Sequence, residues 1–288
     1  NGNKYIYMAI RRGSLFPPEA GTEVFATKTS QATKPNFETP FVADFGIRLQ
    51  TNGGSSYPLV VDRMRGLKAL KTSSTNAEGG SSYAFDQNNG IDKGDTYAST
   101  SEFMHIWKRA PSFFDVVSYK GTGSARTIAH NLGVAPEMMW VKSRSESGTY
   151  WRIYHSSIGN TKAGFIPHTG TFSPSVTWWN NTSPTDEVFT VGSNTNVNGS
   201  NQSIIAYLFA TLDGISKVGS YTGNGSSQTI DCGFTSGARL ILIKRTDASG
   251  NWFIFDTVSG IVAGSCPYWM LNTTSSRQGG ADDIDPQN

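Results

Sequence analysis

The chain has 288 residues, a formal net charge of +2 and only 16% charged side chains, so no basic stripe points to nucleic acid and no acidic block marks a charged partner. No apolar run approaches the roughly 20 residues that a membrane-crossing helix needs, and two cysteines, Cys232 and Cys266, are too few for a disulfide framework or a zinc centre. They are read as free thiols, with pairing left open. The 31 glycines, 12% aromatics and plentiful Ser, Thr and Asn suit short strands joined by polar turns.

In chain order, the opening "NGNKYIYM" has no initiator Met or signal pattern and reads as the start of an internal segment. "YIYMAIRR" (5–12) is the first apolar strand. "FVADFGIRL" (41–49) and "YPLVVDRMRG" (57–66) form a strand–turn–strand unit, and "DRMRGLKALKTS" (62–73), the nearest approach to a helical pattern, is interrupted by Gly66. "FMHIWKRA" (103–110), "VVSY" (116–119), "RTIAH" (126–130), "MMWVKSR" (138–144) and "YWRIYH" (150–155) follow as strands. So do "EVFTVGS" (187–193) and "SIIAYLFA" (203–210). "RLILIKR" (239–245) and "NWFIFDTV" (251–258) flank "TDASG" as an antiparallel hairpin. Alternation in its second strand places Trp252, Ile254 and Asp256 on one face, with Phe253 and Phe255 on the other.

Several of these elements recur. "SYKGTGSARTIAH" (118–130) aligns without a gap on "SYTGNGSSQTIDC" (220–232), which brings "MMWVKSR" onto "LILIKRT" (240–246) and "YWRIYHSSIG" onto "NWFIFDTVSG" (251–260). A fainter copy covers 41–66. A repeat of about 100 residues exceeds any solenoid unit and fits a β-sandwich. The expected fold is therefore all-β, with tandem β-sandwich modules of jelly-roll or lectin-like type. The expected boundaries are 1–13 for the terminal strand of a preceding repeat, 14–110 for a divergent repeat, 111–213 for a full repeat and 214–288 for an incomplete one. The strand missing from the last repeat is expected from residues beyond 288, with "YIYMAIRR" as the alternative source.

Few residues carry chemistry. The Gly-rich turns precede strands, whereas phosphate binding needs a helix N-terminus after the loop, so they read as turns. Aligned positions 62, 155 and 256 hold Asp, His and Asp, which suits side chains that anchor a following turn. His105, His130, His155 and His168 lack metal-ligand spacing, no nucleophile elbow occurs, and Glu102, Glu137, Glu146 and Glu187 share no spacing between copies. Asp282, Asp283 and Asp285 lack the EF-hand pattern and read as an acidic loop. No catalytic residue, metal or cofactor is expected.

The binding candidates are aromatic. In "SVTWWNNTSPT" (175–185), Trp178 and Trp179 offer faces for stacking on sugars, and Asn180 and Asn181 offer hydrogen bonds to hydroxyls. Tyr268 and Trp269 in "PYWML" offer a weaker version. The alternative places one Trp in the sandwich core and the other against a neighbouring module.

The repeat motifs "SYKGTGSARTIAHNLGVAPEMMWVKSR", "WWNNTSPTDEVFTVG", "SKVGSYTGNGSSQTIDCGF" and "LILIKRTDASGNWFIFD" resemble a tandem-repeat family of tail-fibre and tail-associated structural proteins of tailed, often marine, bacteriophages. The resemblance covers residues 103–288, with residues 1–13 as a repeat end; residues 14–102 lack the "GTG" turn and the "HNLG" stretch. It implies a non-enzymatic virion adhesin that contacts the host surface, forms a homo-oligomer (a trimer is favoured), and partners other virion proteins and a host polysaccharide or receptor. A capsid-decorating protein or a polysaccharide-binding or depolymerising tailspike is the alternative.

Overall fold

The computed structural model describes residues 16–51, 57–94, 101–261, 264–279 and 284. The first third holds β1 (Phe25–Thr29), β2 (Phe37–Glu38), β3 (Phe45–Gln50), β4 (Leu59–Asp62), β5 (Lys68–Lys71), β6 (Gly79–Gly80), β7 (Gly90–Ile91) and β8 (Glu102–Trp107). The middle adds β9 (Phe114–Lys120), β10 (Arg126–Ala129), β11 (Met138–Ser143), β12 (Trp151–His155), β13 (Lys162–Ile166), β14 (Ser173–Pro174), β15 (Val188–Val191) and β16 (Ser203–Phe209). Two single helical turns, α1 (Val176–Trp179) and α2 (Thr195–Asn198), interrupt it, and β17 (Leu240–Lys244), β18 (Trp252–Asp256) and β19 (Tyr268–Met270) complete the chain. The fold is all-β, as the composition implied.

Three sheets dominate, and their strand orders correspond. The first runs β1-β8-β3-β4-β5-β6, the second β9-β16-β11-β12-β13-β14, and the third β17-β18-β19. All pairings are antiparallel, and the registers match. Phe45 faces Asp62, Met138 faces His155 and Leu240 faces Asp256. On the other side of the same strand, Ile47 faces His105 and Trp140 faces Tyr207. Each sheet takes its strands from a different third of the chain.

The sheets share one core. Alternate residues point one way: Phe45, Ile47 and Phe103 from the first sheet, Trp140, Trp151, Ile153 and Tyr207 from the second, Trp252, Ile254 and Trp269 from the third, all in a single buried cluster. Each large aromatic removes on the order of 150–250 Å² from water, so this cluster dominates the hydrophobic stabilisation. The opposite faces have their own covers. Met139, Val141, Ile204 and Leu208 pack beneath β10, β15 and the two helical turns; Val61, Met104 and Ile106 pack against Phe37, Tyr83 and Phe85. A strand buried on both faces reads as a near-continuous apolar run, which explains "IIAYLF".

Polar contacts also join the sheets. Asp62 Oδ2 accepts from the Tyr207 hydroxyl at 2.6 Å and from Arg65 Nε at 2.5 Å, while its Oδ1 accepts from the Arg65 N–H. Asp256 repeats the arrangement one sheet away: Oδ2 accepts from Thr27 and lies 3.2 Å from His105 Nε2, while Oδ1 accepts from the Val258 N–H. At the third position, His155 Nδ1 accepts from the Ser157 N–H at 3.3 Å. All three side chains anchor their turns, and the two carboxylates additionally clasp a neighbouring sheet.

The two Gly-rich stretches differ in outcome. "SYKGTG" ends β9 and turns toward β10; a Cβ on Gly121 would collide with the Gly199 carbonyl, and Gly123 has φ +76°, so glycine is required at both positions. "SYTGNG" lies in an exposed segment without strand pairing among the described residues. The physical reason is its missing neighbour: β9 pairs with β16, and no described strand stands in that place beside β17. "YIYMAIRR" and Asp282, Asp283 and Asp285 lie outside the described residues.

Candidate functional site

Ser175 caps α1, its hydroxyl accepting from the Thr177 N–H at 3.1 Å, and Asn180 and Asn181 close it with φ of 53° and 49°. Short polar side chains tolerate that left-handed conformation, which explains "WWNN" locally. One helical turn directs both indoles inward. Trp179 is fully buried, its N–H donating to the Lys162 carbonyl at 2.9 Å and its ring edge-on to Tyr154. Trp178 is also buried, with the Arg152 guanidinium 4.0 Å from its ring centroid. Neither indole offers the open face that stacking on a sugar demands; Asn180 and Asn181 are exposed.

Tyr268 and Trp269 separate across β19. Trp269 enters the shared core and donates its N–H to the Gln50 carbonyl at 2.7 Å. Tyr268, half-buried, packs edge-on against Phe253 at 5.3 Å. The structure brings neither residue near the WWNN turn into a joint site.

An open cleft of about 370 Å³ forms elsewhere, lined by Tyr150, Phe165, His168, Gly170, Thr171 and Ser173. Tyr150 directly precedes β12, Phe165 lies near the end of β13, and the other residues form or end the β13–β14 loop. The three rings stand nearly edge-on to one another: Tyr150 to Phe165 at 6.3 Å and 85°, Tyr150 to His168 at 6.4 Å and 82°, Phe165 to His168 at 6.0 Å and 65°. His168 Nδ1 accepts from the Gly170 N–H at 2.9 Å. In the neutral ring the proton therefore sits on Nε2, which is left to donate.

The cleft is held from three sides. The Tyr150 N–H donates to Asn196 Oδ1 of α2 at 2.6 Å. The Trp252 indole N–H donates to the Phe165 carbonyl at 3.0 Å. The Thr169 carbonyl accepts from both the Gly250 N–H at 2.9 Å and Lys244 Nζ at 3.1 Å. Two of these three ties come from the third sheet's hairpin, so the loop that shapes the cleft is a feature of the assembled sheets.

Behind the cleft wall lies Arg152, which is only 6% exposed. Its guanidinium carbon is 4.0 Å from the Phe165 centroid and 5.5 Å from that of Tyr150, giving cation–π contact with three rings when Trp178 is counted. Nε and Nη1 are buried without a hydrogen-bond partner, and among the described residues no carboxylate forms a salt bridge with it. Burial pulls the guanidinium down to about 10, with Tyr150 opposing the shift, so it stays cationic at neutral pH.

The sequence held a trace of this site. By register, Arg152 pairs with Phe165 as Leu59 pairs with Lys71, and it occupies the place that Phe253 fills in the third sheet. The fold accepts an apolar side chain there twice, so the arginine is not demanded by packing.

Residues 105–284 match the domain of unknown function family DUF7483. That span exceeds half the chain, and the chain belongs to this family. No curated protein and no solved structure matches it.

Proposed function

We propose that this DUF7483 member is a non-enzymatic structural protein of a tailed-bacteriophage virion, a tail fibre or tail-associated adhesin, whose middle sheet binds a saccharide on the host surface. The observation that carries the binding half of this reading is the cleft formed by Tyr150, Phe165 and His168. Saccharides present apolar C–H faces beside hydroxyls, and this cleft sets aromatic rings beside an imidazole N–H and the hydroxyls of Thr171 and Ser173. Among the described residues its lining has no carboxylate pair of the kind a glycosidase uses, which favours binding over cleavage. The sharing of one core by three sheets supports a rigid virion component, and the repeat motifs support the phage assignment through their family resemblance.

Binding is tested on a glycan panel with Tyr150→Ala and Phe165→Ala variants: loss of binding in both is the expected result, with circular dichroism checking that each variant stays folded despite the ring packing it loses. Retained binding in both would overturn the cleft as the site. Virion placement is tested by antibody labelling of phage particles in electron micrographs. Label on the tail is expected, label on the head would favour a capsid-decorating role, and unlabelled particles would overturn the virion reading. Sedimentation equilibrium reads the proposed homotrimer.

A further inference from the structure

We infer that the cleft selects an acidic saccharide, one carrying a sugar-acid carboxylate, and that Arg152 supplies the selectivity. This rests on the reading of the cleft as a saccharide site and adds the ligand's charge. A cation removed from water is costly unless a partner compensates it. Arg152 is nearly buried, yet Nε and Nη1 have no hydrogen-bond partner and no described carboxylate pairs with it. Aromatic faces recover part of the lost hydration. Three rings are in place for this, and two of them, Tyr150 and Phe165, are walls of the cleft.

The geometry leaves the anion's place open to a ligand. Phe165 has the guanidinium against its ring and also lines the cleft, so a carboxylate stacked on that wall approaches a positive charge that no described carboxylate pairs. The guanidinium side of that ring is nearly dry while the cleft side is open to water, so the attraction is screened less than between two exposed charges and more than in a closed pocket. His168 Nε2 and the hydroxyls of Thr171 and Ser173 add donors that a carboxylate can use. The corresponding positions in the other two sheets, Leu59 and Phe253, are apolar, so a buried guanidinium at this place is particular to the cleft-bearing sheet; the first sheet carries its cation on the facing strand instead, as half-buried Lys71 over the Tyr57 ring.

The test uses the full chain and a panel of uronic-acid and sialic-acid oligosaccharides, each paired with its own methyl ester, measured by titration calorimetry. Esterification removes the charge and keeps the sugar. The expected result is roughly tenfold tighter binding of an acid than of its ester, on the order expected for one partly screened charge. Arg152→Met should abolish that preference and reduce the acid to the affinity of the ester, with a melting temperature equal to or above that of the parent chain. Arg152→Lys should keep part of the preference. Equal binding of acids and esters by the parent chain would overturn the charge inference and leave the saccharide site standing. Binding of neither form across the panel would overturn both.

Discussion

Trp151 and Trp252 make the same bond one sheet apart. The Trp151 indole N–H donates to the Lys71 carbonyl of β5, and the Trp252 indole N–H donates to the Phe165 carbonyl of β13, each at 3.0 Å. Register makes the acceptors equivalent, since Lys71 faces Leu59 as Phe165 faces Arg152. Each indole thus fills the shared core with its ring and ties its sheet to the preceding one with its nitrogen. A buried tryptophan needs a partner for that nitrogen, and a strand-edge carbonyl of the neighbouring sheet supplies it.

Trp151→Phe and Trp252→Phe should therefore each destabilise the chain by about 1–3 kcal/mol, combining a lost hydrogen bond, an orphaned carbonyl and missing ring volume. Urea unfolding would show it as a lower midpoint with an unchanged slope. Trp252→Phe carries an additional consequence, because Phe165 is a wall of the cleft: saccharide affinity should fall with this variant and stay unchanged in Trp151→Phe.

The Asp256 clasp should respond to acid. Burial raises the Asp256 carboxyl, but His105, Thr27 and the Val258 N–H outweigh it and hold the group below the usual carboxylate range. The folded chain then binds fewer protons here than the unfolded chain, so stability is present above about pH 4 and is lost as pH falls through the depressed value. Melting curves between pH 2 and 5 should show this loss, and Asp256→Asn should flatten it while lowering stability near neutrality. A parent and variant with parallel acid profiles would remove Asp256 from the account.

Lys142 makes the opposite end of the pH range informative. Its ammonium is fully buried in β11, donating to Thr149 Oγ1 and the Ser143 carbonyl at 2.7 Å each. With no carboxylate on it among the described residues, burial lowers the group to about 7. Above that value the folded chain releases a proton that an unfolded lysine keeps up to about pH 10. Stability should therefore rise from pH 7 toward pH 10, by at most ~1.4 kcal/mol per pH unit. Lys142→Met should be at least as stable as the parent at pH 7 and should lose this slope, which differential scanning calorimetry at several pH values would read.

Much of this architecture was legible in the repeat. Aligning "YWRIYH" on "NWFIFD" puts Trp151 on Trp252 and His155 on Asp256, and the sheets realise both equivalences. What the alignment cannot convey is that the equivalent faces meet: whether a repeated apolar face closes its own sandwich or joins its copies in one core depends on contacts such as Trp252 to Phe165, 87 residues apart. The WWNN motif misleads for a related reason. Its polar neighbours suggest exposure, yet one capped helical turn is enough to swing both indoles beneath β13. The cleft was missed because its rings come from a strand start, a strand end and a loop. Its one visible signal was the charge of Arg152 aligned with Phe253, which stands out only once the strand faces are known.

The tightest steric control on the cleft is Gly170. A Cβ built there would lie 2.8 Å from the Cε1 and Nδ1 atoms of His168, closer than real side chains approach. Gly170→Ala must therefore push the imidazole aside and weaken the Gly170 N–H bond that fixes its tautomer. The residue lies in a loop away from the shared core, so the melting temperature should stay within about 2 °C of the parent, as for surface changes generally. Saccharide affinity should fall by roughly tenfold, the value of one well-placed hydrogen bond and ring contact. His168→Ala should produce a loss of similar size, and combining it with Gly170→Ala should add little, because both substitutions act on one ring. Additive losses in the double variant would show that Gly170 shapes the cleft by another route. Full affinity in Gly170→Ala would show that the imidazole takes no part in binding.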